Sequence, residues 1–426
     1  MSNLSAITRK TQTKLYQFLI GYKKHHTLPE YKFLSDCVLG IIKSKHIHLA
    51  KIGRQLQETI SPKKTEERLS YHLAKPGLSE QILEKHLLRI RPRIKRCRYL
   101  IYDGSDIIKN YAGKMDGLAR VRDGSASGSK TVLGQGYHWD NLVGVSEDGS
   151  ALLPLYSEIY SIKADKDCRV SENRKIIKMQ QVVSLSASKD SIWVMDRGGD
   201  RRVLIKTFLE RKQQFVIRQR GEQHLFYQDK CLPLKELSRK VKLQYRYRVT
   251  RNNHGRLIKH DYAVGGIQVN FPTNDLRYKR PERLWLVVSR EKQRGYSWFL
   301  CYLNTDEESE AVRLAMQGYQ YRWKIEEFHR QVKQDYALEE IRYQRYEAIR
   351  TIGSLLVVVM GFLATLGSNF VHMVLRMGRL WPGNRLTDCP RYKYYRLSEA
   401  MKIILAKTTR MKRKTLLLQG QMELRF

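Results

Sequence analysis

Residues 319–333, YQYRWKIEEFHRQVK, set a phenol, a guanidinium, a carboxylate and an ammonium at intervals of three, four and seven. On an α-helix that advances about 100° per residue, Tyr319, Arg322, Glu326 and Lys333 share an arc of about 60°. Arg330 falls on the same arc, while Ile325, Phe328 and Val332 make a separate apolar stripe able to face a core. The spacing therefore predicts one helix with a single carboxylate among cations on an exposed ridge. Two uses fit that ridge. One is a solvated face laced with Glu–Arg pairs; the other is a carboxylate that works beside groups holding a polyanion.

Two further acids follow short hydrophobic runs: Asp103 in IYDGSDI and Asp196 in VMDRGGD. Both read as lying just past a strand end on a glycine-containing turn. Ligand chemistry in open α/β sheets gathers at such ends, although either Asp alone suits a turn or a helix N-cap. Together with Glu326 they supply what cutting DNA requires: two or three acids holding a pair of divalent cations about 3.5–4 Å apart. Oxygen donors favour Mg²⁺, and the cations around Glu326 would hold phosphates. Asp106, Asp200 and Glu327 compete for these roles. Glu327 is turned off the ridge by about 100°, and Asp106 and Asp200 stand further from their strand ends.

The rest of the chain bears on the choice. Its 426 residues carry 79 Lys and Arg against 42 Asp and Glu, a net charge of +37, with 42% hydrophobic residues. A packed protein of two or three domains is expected rather than a disordered basic chain. The excess is spread out: 20 basic against 7 acidic residues over 1–96, 18 against 7 over 219–300, and 13 against 3 over 376–426. That distribution suits contact with a polyanion along a broad surface, and by itself names a partner but no activity. The six cysteines are scattered without a C-x-x-C pair, which suggests neither a zinc site nor a disulfide framework and suits a reducing cytosol. The N-terminus has no signal-peptide core. Residues 351–375 run without charge, long enough to span a bilayer. Gly353, Ser354, Thr365, Gly367, Ser368, Asn369 and His372 punctuate the run, so a buried core helix is expected and no membrane.

Residues 1–96 read as helices, with Ser61-Pro62 starting one and Pro76-Gly77 closing it. The pair around that turn fits a helix-turn-helix reader of DNA or a plain helical bundle. From residue 97 strands alternate with helices in the manner of an α/β layer fold. Residues 219–300 form a β-rich insertion, and 376–426 a basic segment with one helix. The domains are thus 1–96, 97–375 and 376–426.

The motif Y-x2-R-x3-E-x6-K, here Tyr319, Arg322, Glu326 and Lys333, resembles the signature of the insertion-sequence transposases of the IS-four family. IYDGSD and VMDRGGD resemble that family's two aspartate motifs, and the β-rich stretch its insertion. The resemblance covers roughly residues 97–345. It implies a ribonuclease H-like catalytic core behind a helical DNA-end-binding domain. The implied catalytic, metal-holding triad is Asp103, Asp196 and Glu326, with two Mg²⁺ (Mn²⁺ substituting). It further implies cut-and-paste transposition in the cytoplasm, at the nucleoid, by a homodimer that holds terminal inverted repeats and target DNA, with 376–426 as a possible dimer segment. Tyr319, Arg322 and Lys333, with Arg330 beside them, would grip the DNA backbone. Trp298, in the strand before the signature, stands where that family holds a flipped base. Gly104-Ser105 departs from the family's first motif, which keeps Asp106 in contention with Asp103. A ribonuclease H-fold nuclease and an inactive transposase-derived DNA-binding protein are the alternative readings.

Overall fold

The computed structural model describes residues 2–124, 132–164, 171–253, 256–272, 283–291, 295–377, 392–406 and 408. Five helices come first: α1 (Ser2–Lys23), α2 (Leu28–Ser44), α3 (Leu49–Leu56), α4 (Pro62–Leu73) and α5 (Leu78–Ile94). Local chemistry sets their ends. Glu30 reaches back to accept the Thr27 amide at 2.9 Å where α2 begins, and Ser61 Oγ accepts the Lys64 amide ahead of α4. Such caps satisfy amides that have no partner inside the helix.

The sheet then begins with β1 (Tyr99–Ile108), β2 (Ala119–Arg122), β3 (Leu133–Val145) and β4 (Leu152–Tyr160). Next come α6 (Glu172–Ser184), β5 (Ile192–Met195), α7 (Arg202–Glu210) and β6 (Phe215–Arg218). β3 pairs antiparallel with both β1 and β4, whereas β1, β5 and β6 pair in parallel. In the order β4-β3-β1-β5-β6, β3 alone runs against the rest.

The β-rich stretch holds β7 (His224–Tyr227), β8 (Lys230–Pro233), α8 (Leu234–Lys240), β9 (Tyr245–Asn253), β10 (Arg256–Asn270), β11 (Arg283–Glu291) and β12 (Gly295–Tyr302). β12 pairs antiparallel with β6, so these strands widen the same sheet to twelve. The chain closes with α9 (Glu308–Gln320), α10 (Trp323–Gln334), α11 (Tyr346–Thr365), α12 (Ser368–Met377) and α13 (Tyr394–Leu405).

Side-chain alternation divides the sheet into two faces. Trp193 and Phe215 turn toward Phe208 of α7. Tyr99 and Val194 meet Gly318 of α9 on the other face, where a Cβ at 318 would come within 2.9 Å of the Tyr99 ring. α10 continues along that face, with Phe328 and His329 against Trp139 of β3.

The uncharged run of 351–375 is two helices, broken at Leu366–Gly367. α11 is long and apolar enough to cross a membrane, but 89% of its apolar window is buried inside the fold. It lies against β4, α5 and α2, and Gly361 leaves room for the ring of His86, whose Cε1 would stand 2.4 Å from an added Cβ. α13 packs on α1 and α2, and the buried Lys43 ammonium donates to the carbonyls of Gln55 and Thr408 at 2.6 Å each. The first 96 residues and α13 thus share one apolar cluster with the sheet. Most of the basic segment after 377 lies outside the described residues.

Two local expectations need correction. Asp103-Gly104 is no turn: β1 runs on to Ile108 because β3 pairs with it throughout, Asp103 opposite Asn141. The ridge of 319–333 is also two helices, α9 and α10, joined at Tyr321–Arg322, where the Arg322, Lys324 and Ile325 amides bond three residues back. Tyr321 accounts for the joint. Its hydroxyl donates to the Glu147 carbonyl at 3.1 Å and its ring stands edge-on to Tyr99. Gly149, at φ +69, lets the β3–β4 turn pass so close that a Cβ there would sit 2.4 Å from the Tyr321 ring.

Candidate active site

Asp103 lies on β1 two residues past its last parallel partner, Ile101 opposite Val194. Asp196 directly follows the end of the neighbouring β5, and Glu326 stands in the first turn of α10, which crosses above β1. By alternation Asp103 and Asp196 both turn to the α9–α10 face. Asp196 starts a 3-10 turn and accepts the Gly198 amide at 2.7 Å, which fixes its carboxylate.

Asp103 is coupled through charge to the other two acids. Burial first, and then the charges of Asp196 and Glu326, push the Asp103 carboxyl up to about 7 against the opposing pull of Arg322. Arg322 stands between two of them, with Nη1 3.6 Å from Asp103 Oδ2 and Nη2 2.5 Å from Glu326 Oε1. Burial works against its charge, but Glu326, Tyr319 and Asp103 outweigh that and raise its pKa. Like charges crowded on one low-dielectric face favour a bound cation. An all-carboxylate donor set suits Mg²⁺ or Mn²⁺ over softer metals. The residues fit a divalent-metal site.

The other predicted residues divide. Tyr319 belongs to the cluster: its ring lies 5.6 Å from the Arg322 guanidinium and 4.8 Å from the Phe299 ring. Lys333 is further along α10 and donates to the Asp106 carbonyl at 2.8 Å, with Glu339 3.3 Å away. Arg330 is exposed and pairs with Glu327 at 2.7 Å, apart from the three acids. Trp298 turns to the opposite face of β12 from Phe299, against Gly221, and its indole nitrogen is buried without a partner among the described residues.

The competitors are engaged elsewhere. Asp106, three residues from Asp103, points to the other face, where its carboxylate lies 3.6 Å from His138 Nδ1. Asp200 accepts the Arg220 amide and the Gln223 side chain. Glu327 binds Arg330 and the Tyr395 hydroxyl.

Sequence reasoning missed Arg218. It ends β6, donates to the Tyr319 hydroxyl at 3.0 Å and to Ser297 Oγ at 3.1 Å, and its guanidinium lies 5.5 Å from the Tyr319 ring. The available signal was its place at the end of the strand after VMD. His329, one turn past Glu326, was missed as well. Burial, then Lys333 and Arg322, press its pKa down to about 3, so it stays neutral against Trp139.

With the geometry in view, residues 154–360 match the family described as Transposase DDE domain. The matched segment contains Asp196 and Glu326 and begins after Asp103. It supports a DDE transposase family, and with it DNA transposition as the process. Transposases of that kind act on DNA, cleave it and generally use divalent metal ions. No curated protein matches the chain. Among solved structures it is similar to one titled "Cryo-EM structure of piggyBac transposase synaptic complex with hairpin DNA (SNHP)", with a TM-score of 0.43, 11% identity, and coverage of 99% of this chain and 82% of that one.

Proposed function

We propose that the chain is a cut-and-paste DDE transposase that cleaves DNA at transposon ends and joins them to a target. The catalytic carboxylates in this reading are Asp103, Asp196 and Glu326. The observation that carries it is their convergence from two neighbouring parallel strands and a crossing helix, with Arg322 among them. The strand order β4-β3-β1-β5-β6, with β3 reversed, supports a ribonuclease H-like core.

In this reading Asp103, Asp196 and Glu326 would hold two Mg²⁺, which supply Lewis acidity at the attacking and leaving oxygens when bound. The chain's own groups do the positioning. Arg322 offers a planar, bidentate grip on a phosphate. Tyr319 backs that guanidinium and is itself fixed by Arg218 and Phe299. Lys333, two turns past Glu326 on α10, would hold backbone beyond the cut. The Gly198 amide aims Asp196. Residues 1–96 would read the end sequence, and a homodimer would pair two ends in the cytoplasm.

The test is cleavage of linear DNA carrying the element's own ends, with Mg²⁺ or Mn²⁺. Asp103→Ala, Asp196→Ala and Glu326→Ala should each abolish cleavage while end binding persists. A dead Asp106→Ala beside an active Asp103→Ala would overturn the assignment of the first acid.

A further inference from the structure

Away from the carboxylates, His46, His48 and Glu340 bring three ligand atoms within 4.8 Å of one another. We propose that they form a second metal site, specific for Zn²⁺ or a similar borderline divalent ion, which staples the α2–α3 junction to the turn following α10. Two imidazoles and one carboxylate make a donor set that suits Zn²⁺ and leaves Mg²⁺ to all-oxygen sites.

The framework is already built. His46 is buried, His48 half-buried and Glu340 exposed, so the group opens to solvent on one side. The two rings lie 4.2 Å apart between centroids. Tyr343 clamps the loop between them, donating to the Ile47 carbonyl at 2.6 Å and accepting the Leu49 amide at 3.2 Å. His48 Nε2–H donates to the Glu340 carbonyl at 2.9 Å, which leaves Nδ1 without a proton and able to take a metal. A backbone carbonyl commonly fixes the tautomer of a metal-binding histidine in this way.

In the fold as it stands, His46 Nε2–H faces Glu340 Oε2 at 3.3 Å while Nδ1 accepts the His48 amide at 3.2 Å. The cation takes the place of the Nε2 proton. That proton moves to Nδ1, and the long bond from the His48 amide is given up. The site joins the segment leading into α3 to the residues directly after the helix that carries Glu326. Zinc here would stiffen the link between the N-terminal helices and α10.

The test titrates Zn²⁺ against a chromogenic chelator using the full chain, in an Asp103→Asn, Asp196→Asn background that removes uptake at the carboxylates. One equivalent should bind. His48→Asn and Glu340→Gln, both on the open side, should weaken binding by about tenfold or more. Co²⁺ should give a visible ligand-field spectrum that the same changes abolish. Zn²⁺ should raise the melting temperature of the starting chain but not that of His48→Asn. Absence of Zn²⁺ uptake, or an affinity in His48→Asn and Glu340→Gln equal to that of the starting chain, would overturn the proposal. None of these three readouts depends on DNA cleavage.

Discussion

Arg322 Nη2 lies 2.5 Å from Glu326 Oε1, one helical turn away, while the same guanidinium reaches Asp103 on β1. A monovalent cation thus already bridges two of the three acids. A divalent ion competes with Arg322 for those oxygens, and a DNA phosphate competes with the acids for Arg322. Arg322→Ala should therefore bind Mn²⁺ more tightly than the parent chain when DNA is absent, as read by calorimetry. Its cleavage rate should still fall about a hundredfold, the scale expected when a scissile phosphate is misplaced by about 1 Å. Arg322→Lys should also be slow, because an ammonium lacks the planar fork. Unchanged Mn²⁺ affinity in Arg322→Ala would remove the competition.

His86 makes stability depend on pH. It is fully buried between α1 and β4, with Tyr22 Oη 3.0 Å from Nδ1 and the Pro154 carbonyl 3.0 Å from Nε2, and burial presses its pKa down to about 4. The folded chain keeps it neutral, whereas the unfolded chain protonates it below about 6.5. Its contribution is present above that value and drains away as pH falls toward 4, about 3 kcal/mol in all. Melting curves between pH 7 and about 4 should show the loss, and His86→Gln should flatten it. An equal slope in His86→Gln would assign the pH dependence to other groups.

Gly149 should matter beyond its loop. It holds φ +69, and a Cβ there would strike the Tyr321 ring. Gly149→Ala should lower stability by about 1 kcal/mol or more and shift the α9–α10 joint that carries Arg322. End binding should persist while cleavage drops. Normal single-turnover cleavage in this variant would show that the joint tolerates the displacement.

Lys63 and Lys64 are exposed on the first turn of α4, and Tyr71 is 76% exposed further along it. If α4 lies on end DNA, each lysine replaced by Ala should reduce the salt dependence of binding by about 0.9 log units per lost phosphate contact. The measurement belongs in the full chain, because α1, α2 and α5 bury apolar faces against α11 and α13. An unchanged slope in the double variant would move the DNA surface elsewhere.

What could be read in the residues was mostly local. Apolar runs marked β1 and β5, each ahead of its acid. Asp103 and Asp196 stood out only as a pair, taken together with Glu326 on its cationic ridge. The rest depended on partners distant in sequence. β1 continues past Asp103 only because β3 pairs with it, and 319–333 divides only because Tyr321 is held by the β3–β4 turn. Strand parity sends Trp298 away from Tyr319, and Arg218 gains its place only once β6 lies beside β12. Periodicity along one segment carries none of that information.

The pairing of Arg218 with Phe299 has a consequence for how the chain tolerates change. β6 and β12 are antiparallel neighbours, so to the strands on their β5 side everything from 219 to 298 is the loop of one hairpin. Its two ends are held side by side whatever lies between them. Closing a loop grows costlier only with the logarithm of its length, about 0.6 kcal/mol per doubling. The carboxylates at the ends of β1 and β5 are therefore indifferent to the size of that loop. β9 and β10 still brace α9, through Tyr247 to Gln320 and Gly266 to Glu308, so strands are most freely added or lost at the β7–β8 edge beyond them.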